Sequence, residues 1–345
     1  MSPAGTPVAR KFPERHFPFV ELILSKMVEV SGMALLAATL PVVLIASVGY
    51  LFRRKNWVNQ ETQYGLMRLV VWAFTPALIF DRVLGNPLLC DFSVVLKVLS
   101  AGFLTIALGV VLAVFLARFF GISETERRRV FGYCAGIYNY GYMALPVCIS
   151  LCSPETVGMM LLFNTGVEVG IWTIGLSVVS GNLEPKKIAS AFVNPIFISM
   201  VVAIALNFCG WAAFVPAWFS ATTKSLGACM IPSGVLLVGM SLPVLLNGFR
   251  LKDDVRASLG AIAVRLGIIP ALMVATAVWL PALPQDLRYI LVIQSGMPAA
   301  MLPIVVVQYY KGDAKLALRV VLISTAACVV SLPFWIKIGF WLLSR

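Results

Sequence analysis

Residues Val130–Cys152, VFGYCAGIYNYGYMALPVCISLC, decide how the rest of the chain is read. The run is long and apolar enough to cross a bilayer, whose hydrocarbon takes about 20 predominantly apolar residues of helix. Its middle does not suit a continuous helix. Asn139, Gly141 and Pro146 fall at or near membrane depth, with Tyr138, Tyr140 and Tyr142 interleaved. Pro146 has no N–H and its ring clashes with the carbonyl of Tyr142, so the helical ladder is expected to break just ahead of it. In a bilayer, freed backbone groups persist only where protein buries them or water reaches them. A broken span therefore predicts a cavity.

A second stretch answers the first. Leu287–Tyr310, LRYILVIQSGMPAAMLPIVVVQYY, is again a span-length apolar run, interrupted by Gln294, Ser295, Gly296, Pro298 and Pro303. Two interrupted spans in corresponding halves of a membrane chain are the strongest sequence pointer to the binding site of a secondary transporter.

Composition sets the frame. Of 345 residues, 60% are hydrophobic and 12% charged, against about half and a quarter in soluble domains. The expected class is an all-α polytopic membrane protein. The net charge of +12 comes from basic residues in short loops between spans, so it reads as membrane topology and not as nucleic-acid binding. The seven cysteines lie in or beside apolar runs and read as small buried residues. His16, the one histidine, sits in the N-terminal tail, so no histidine-based metal or general-base centre is expected within the membrane.

Residues 1–33 form a tail that lacks the continuous apolar core of a signal peptide. Within it, Phe17–Val30 has the pattern of an interfacial helix or a loose extension. Ten span-length runs follow, at about 34–52, 66–84, 94–118, 130–152, 156–180, 190–209, 222–246, 255–279, 287–309 and 314–342. One set of loops carries Arg53, Arg54, Lys55, Arg127, Arg128, Arg129, Lys186, Lys187, Arg250, Lys252, Arg256, Lys311 and Lys315. The alternate set has little beyond Arg82, Lys224, Arg288 and Arg345. The positive-inside rule makes the first set cytoplasmic and both termini external; the basic residues of the tail pull the other way. Pro41 and Pro195 are 154 residues apart, Pro76 and Pro232 are 156, and Pro146 and Pro303 are 157. Three prolines at nearly one offset predict an internal repeat, 34–180 and 190–343. With five spans per copy, the repeat is inverted.

Several segments also carry a resemblance. TPALIF (75–80), NYGYMALP (139–146), LLVGMSL (236–242), MPAAMLPIVVVQYYKGDA (297–314) and STAACVVSLP (324–333) resemble the signatures of the auxin efflux carrier family, in order, over about residues 35–340. The resemblance implies ten transmembrane helices in two inverted five-helix repeats, with broken, crossing helices 4 and 9. It further implies a scaffold of spans 1, 2, 6 and 7 and a moving, elevator-type domain of spans 3–5 and 8–10. Members of the family carry small organic anions, auxin-like or malonate-like. The short link at about 181–189 is similar to that of prokaryotic members.

The crossover supplies the candidate site: Asn139, Tyr140, Gly141, Pro146, Gln294, Ser295, Pro298, Pro303 and Arg265 for substrate, and Glu168 for ion coupling. Half-helix N-termini attract anions, and carbonyl ends attract cations or protons. Asn139 both donates and accepts, and it matches the crossover asparagine of the family's N-x-G-x-x-x-L-P-type segment. Glu168 and Arg265 lie well inside spans, where a charge costs roughly 2.5–3.5 kcal/mol and implies function by default. Glu168 reads as a proton or sodium site, Arg265 as the holder of a substrate carboxylate, and a structural Glu168–Arg265 ion pair is the competing reading. Gly132/Gly136 and Gly166/Gly170 have the spacing that lets spans 4 and 5 pack closely.

The expected protein is a multi-pass transporter of the cell inner (plasma) membrane. Its expected partners are a small organic anion, the lipid bilayer and, optionally, a second copy in a homodimer; no nucleic acid and no cofactor are expected. No P-loop is present. A receptor or sensor descended from transporters would share the architecture but lack bulk flux. An intramembrane enzyme would need a nucleophile and base at membrane depth, which the sequence does not supply.

Overall fold

Polar side chains start the helices where apolar runs begin. Asp91, Ser153 and Asn194 each turn a side-chain oxygen onto a backbone N–H of the following first turn, satisfying donors a helix start leaves open. In this computed structural model, residues 32–182, 185, 189, 192–246 and 253–345 are described. The interfacial reading of Phe17–Val30 and the basic residues Lys186, Lys187, Arg250 and Lys252 fall outside them.

In chain order the helices are α1 (Gly32–Arg54), α2 (Gln60–Leu69), α3 (Thr75–Val83), α4 (Phe92–Leu116), α5 (Thr125–Gly136), α6 (Ala144–Leu151), α7 (Pro154–Gly170) and α8 (Leu176–Ser180). Then come α9 (Pro195–Phe208), α10 (Ala217–Ala228), α11 (Met230–Leu246), α12 (Val255–Ala263), α13 (Ile269–Trp279), α14 (Gln285–Ser295), α15 (Leu302–Tyr309) and α16 (Ala314–Leu343). Five-residue π turns link α2 to α3, α7 to α8 and α12 to α13. Among the described residues there is no strand, only one isolated antiparallel bridge, Tyr138–Ala299. Among the described residues, five runs are long and apolar enough to cross a membrane unaided: Phe92–Phe120, Pro154–Ser180, Ala217–Val244, Val255–Trp279 and Ala314–Leu343. The two stretches singled out above are not among them, because each is split into half-helices, α5/α6 and α14/α15.

Contacts sort the loops into two groups. At one end, the Arg127 guanidinium of α5 reaches Asp254 ahead of α12 at 2.7 Å and Asp313 ahead of α16 at 2.9 Å. Both aspartates also cap the helices they precede. Burial pushes the Asp254 carboxyl up, but the Arg127 hydrogen bond, the Ala257 amide and nearby positive charge outweigh it and hold it below its usual value. The clamp is therefore intact above the ordinary carboxylate range and weakens as pH falls through that lowered value. In the other group, Asn86 Nδ2 donates to Glu155 O at 2.9 Å, Thr156 bonds Asp286, and Asn207 Nδ2 donates to Val83 O at 2.8 Å.

Close packing depends on glycine. A Cβ at Gly102 of α4 would lie 2.1 Å from Phe163 O, and one at Gly166 of α7 would lie 2.1 Å from Leu99 O. Gly132 and Gly136 of α5 also lie on α4, against Val114 and Val110. The two small-residue pairs of spans 4 and 5 thus both serve contacts with span 3, a partner that spacing alone does not name.

Pro270 has no N–H for the Leu266 carbonyl one turn earlier, and the indole N–H of Trp335 in α16 donates to it instead, at 2.7 Å. Trp335→Phe should leave that acceptor unpaired and cost roughly 1–3 kcal/mol. The check is a lowered Tm in detergent; an unchanged Tm would show that the carbonyl finds another partner.

Candidate substrate-binding site

The two breaks meet. Beyond Gly136, the chain runs extended through Ile137–Asn139 and pairs antiparallel with Pro298–Ala300, beyond the end of α14. Asn139 N donates to Pro298 O at 2.8 Å and Ala300 N donates to Ile137 O at 2.9 Å. The backbone groups freed at both breaks therefore satisfy one another. Ala299 N, on the same bridge, is taken by the buried Ser324 hydroxyl at 3.1 Å. Pro146 and Pro303 lie in the first turns of the second half-helices, α6 and α15, where a missing N–H costs least.

Around this bridge the predicted residues separate into three sets. Asn139 accepts from Met143 N on its Oδ1 at 3.3 Å, just ahead of α6, while its amide nitrogen has no partner among the described residues. Beside it, a Cβ on Gly141 would meet nothing within 4 Å, and Tyr140, Gly141, Tyr142 and Glu168 are only half-buried. Open space thus lies against the N-terminal end of α6.

The second set is a polar network around Tyr140. Its carbonyl accepts from Asn164 Nδ2 at 3.1 Å and from Gln294 Nε2 at 3.4 Å, and Gln294 Nε2 also donates to Asn164 Oδ1 at 3.0 Å. Gln294 Oε1 is buried without a partner. The Tyr140 hydroxyl donates to Glu168, whose other oxygen accepts from Trp172 Nε1 at 2.8 Å. One tyrosine thus ties the break in span 4 to spans 5 and 9.

In the third set, the Arg265 guanidinium is fully buried, donates from Nη2 to Ser295 O at 3.1 Å and stands 5.1 Å from the Tyr138 ring centroid. The Ser295 hydroxyl turns back to Val292 O at 2.7 Å, so Ser295 takes part through its carbonyl. Glu168 and Arg265 do not form the ion pair that was one reading of the sequence: Glu168 is held by Tyr140 and Trp172, and Arg265 by Ser295 and Tyr138. Of the three tyrosines, Tyr138 bonds Thr105 at 2.8 Å and Tyr142 lies on Gly234 of α11.

Asn164, Trp172 and Ser324 were not foreseen. Asn164 in α7 and Trp172 in the π turn that follows lie four residues before and after Glu168, about one helical turn each way, and that i±4 spacing was the available signal. Ser324 opens the STAACVVSLP segment, but nothing in that segment names the Ala299 amide as its partner.

A helical membrane chain whose two broken spans pair backbone to backbone is a multi-pass membrane protein built around an interior polar site. The pattern of the membrane transport protein family matches residues 34–189 and again residues 179–336, and the chain belongs to that family, the one that includes the auxin efflux carriers. It is similar to an uncharacterized transporter of Methanothermobacter thermautotrophicus, 24% identical over 299 residues that cover 86% of this chain and 95% of the relative. It is also similar to an uncharacterized transporter of Methanocaldococcus jannaschii, 22% identical over 300 residues, 85% of this chain and 95% of the relative.

Proposed function

We propose that this protein is a secondary transporter of a small organic anion, with its substrate site at the crossover of spans 4 and 9. The observation that carries this reading is the antiparallel bridge at Tyr138 and Ala299, which joins the two breaks ahead of α6 and α15, with open space at Gly141. Two helix N-termini, each worth about half a positive charge, and the unpartnered amide of Asn139 favour a carboxylate. Tyr140 and Gln294 frame it, and Pro146, Pro298 and Pro303 fix the backbone that presents it. Arg265, over the Tyr138 ring, adds positive potential at the crossover. Glu168 is the candidate proton site: protonation would change what it accepts from Tyr140, and hence the shape of the break.

Ten spans in two inverted repeats account for the helices seen, with each broken span counted once. The two loop groups support alternating span direction. In the elevator-type motion, spans 3–5 and 8–10 would move as a body, held at one end by the Arg127 clamp, against spans 1, 2, 6 and 7. With the basic loops cytoplasmic, the protein sits in the cell membrane with both termini outside. Single cysteines near Arg128 and Lys186 are then labelled only from the cytoplasm, and those near Leu283 and Arg345 only from outside. Labelling of both sets from one face would contradict the topology.

The substrate reading is tested by thermal unfolding of the purified protein against a panel of small mono- and dicarboxylates. A ligand that binds only the folded state raises Tm by mass action. A saturable rise with a carboxylate is expected, and none with the matching amide or alcohol; a flat panel would count against an anion site.

A further inference from the structure

Arg265 is a cation with no counter-anion. It is 0% exposed, its Nε and Nη1 have no partner, and among the described residues its side chain meets no carboxylate. A buried, unpaired charge is costly unless the surroundings supply opposite potential. Here the backbone supplies it. Ser295, whose carbonyl accepts from Arg265 at 3.1 Å, is the last residue of α14, and Tyr138, under the guanidinium, follows the end of α5 by two residues. The π turn Val264–Ile268 that carries Arg265 packs directly on α5. The end of α14 therefore turns a carbonyl onto this one cation, and the end of α5 lies beside it. Each such end is worth about half a negative charge, and the tyrosine face adds a further attraction for a guanidinium.

In transporters with broken spans, the unwound carbonyls and half-helix C-termini are where a coupling sodium ion is held. We infer that Arg265 is a resident cation: its guanidinium covalently fills the position that a monovalent metal ion would otherwise take at the crossover. Anion binding at the opposite, N-terminal ends then needs no sodium, because the balancing charge is permanent. Of the two coupling ions the sequence leaves open, this removes sodium and leaves the proton. The inference rests on the transporter reading where it concerns coupling. Its test uses no substrate, so it fails or succeeds independently of the carboxylate panel.

The experiment compares thermal unfolding of wild type and Arg265→Ala in choline chloride, sodium chloride and millimolar guanidinium chloride at equal ionic strength. Wild type should melt at the same temperature in all three. Arg265→Ala should melt lower in choline, and guanidinium or sodium should restore about 2–5 °C saturably, because each fits the vacated space and choline does not. A saturable sodium-dependent rise in wild-type Tm would overturn the inference, and so would an Arg265→Ala that matches wild type and ignores all three salts. If Arg265→Ala does not fold, Arg265→Lys carries the test. It keeps the charge and should purify folded and insensitive to sodium; sodium dependence in that variant would also overturn the inference.

Discussion

Gly141→Val will fold and insert like the wild type and lose carboxylate binding by about tenfold or more. The fold tolerates it because a Cβ there meets nothing within 4 Å, and the residue does not have a positive φ. The added methyls fill the space against the N-terminal end of α6, which the account gives to the substrate. Overfilling an occupied site costs roughly 1–3 kcal/mol, and about 1.4 kcal/mol is tenfold in affinity. Asn139→Ala should reach a similar loss by another route, removing the amide aimed at the carboxylate, worth roughly 1.5–3 kcal/mol to a charged partner. Binding isotherms on protein of unchanged Tm are the check. Wild-type affinity in Gly141→Val would mean that the space belongs to lipid or water and not to substrate.

Gly166→Val, three turns along the chain's next span, should do the reverse. Its Cβ would stand 2.1 Å from the Leu99 carbonyl, and backbone cannot step aside as a side chain can. The α4–α7 contact must open, at a cost at or above the usual upper figure of about 3 kcal/mol for overpacking, a large share of the roughly 5–15 kcal/mol that holds a domain together. Loss of monodisperse protein, or a Tm fall of many degrees, is the expected result. A Gly166→Val protein with wild-type Tm would show that spans 3 and 5 are not packed this tightly.

The two glycines also show what the sequence makes legible and what it does not. Pro146 and Pro303 locate the breaks because a missing N–H acts locally, whatever the rest of the chain does. The pairing of Tyr138 with Ala299, 161 residues away, has no local cause. It follows from two breaks needing partners for the same freed groups, which only the assembled helices can decide. Glu168 was recognisable as a costly charge inside a span, but its partner was not. Arg265 was the obvious candidate by charge, and Tyr140 is the partner in fact. Small-residue spacing likewise announced close packing at Gly132/Gly136 and Gly166/Gly170 without naming α4 as the surface both pairs use. Asn164 went unnoticed because a lone asparagine in an apolar helix is ordinary. Its role appears only when the Tyr140 carbonyl is brought to it.

On the proposed function, the crossover binds an organic anion and carries it across the membrane. The most direct measurement is uptake of a radiolabelled carboxylate, chosen from the thermal-shift panel, into proteoliposomes holding wild type, Gly141→Val or no protein. Saturable uptake by wild type is expected, with uptake near the protein-free level for Gly141→Val at equal incorporation. Equal, saturable uptake by wild type and Gly141→Val would contradict the proposed function, because the substrate would then cross the protein without passing the space at Gly141.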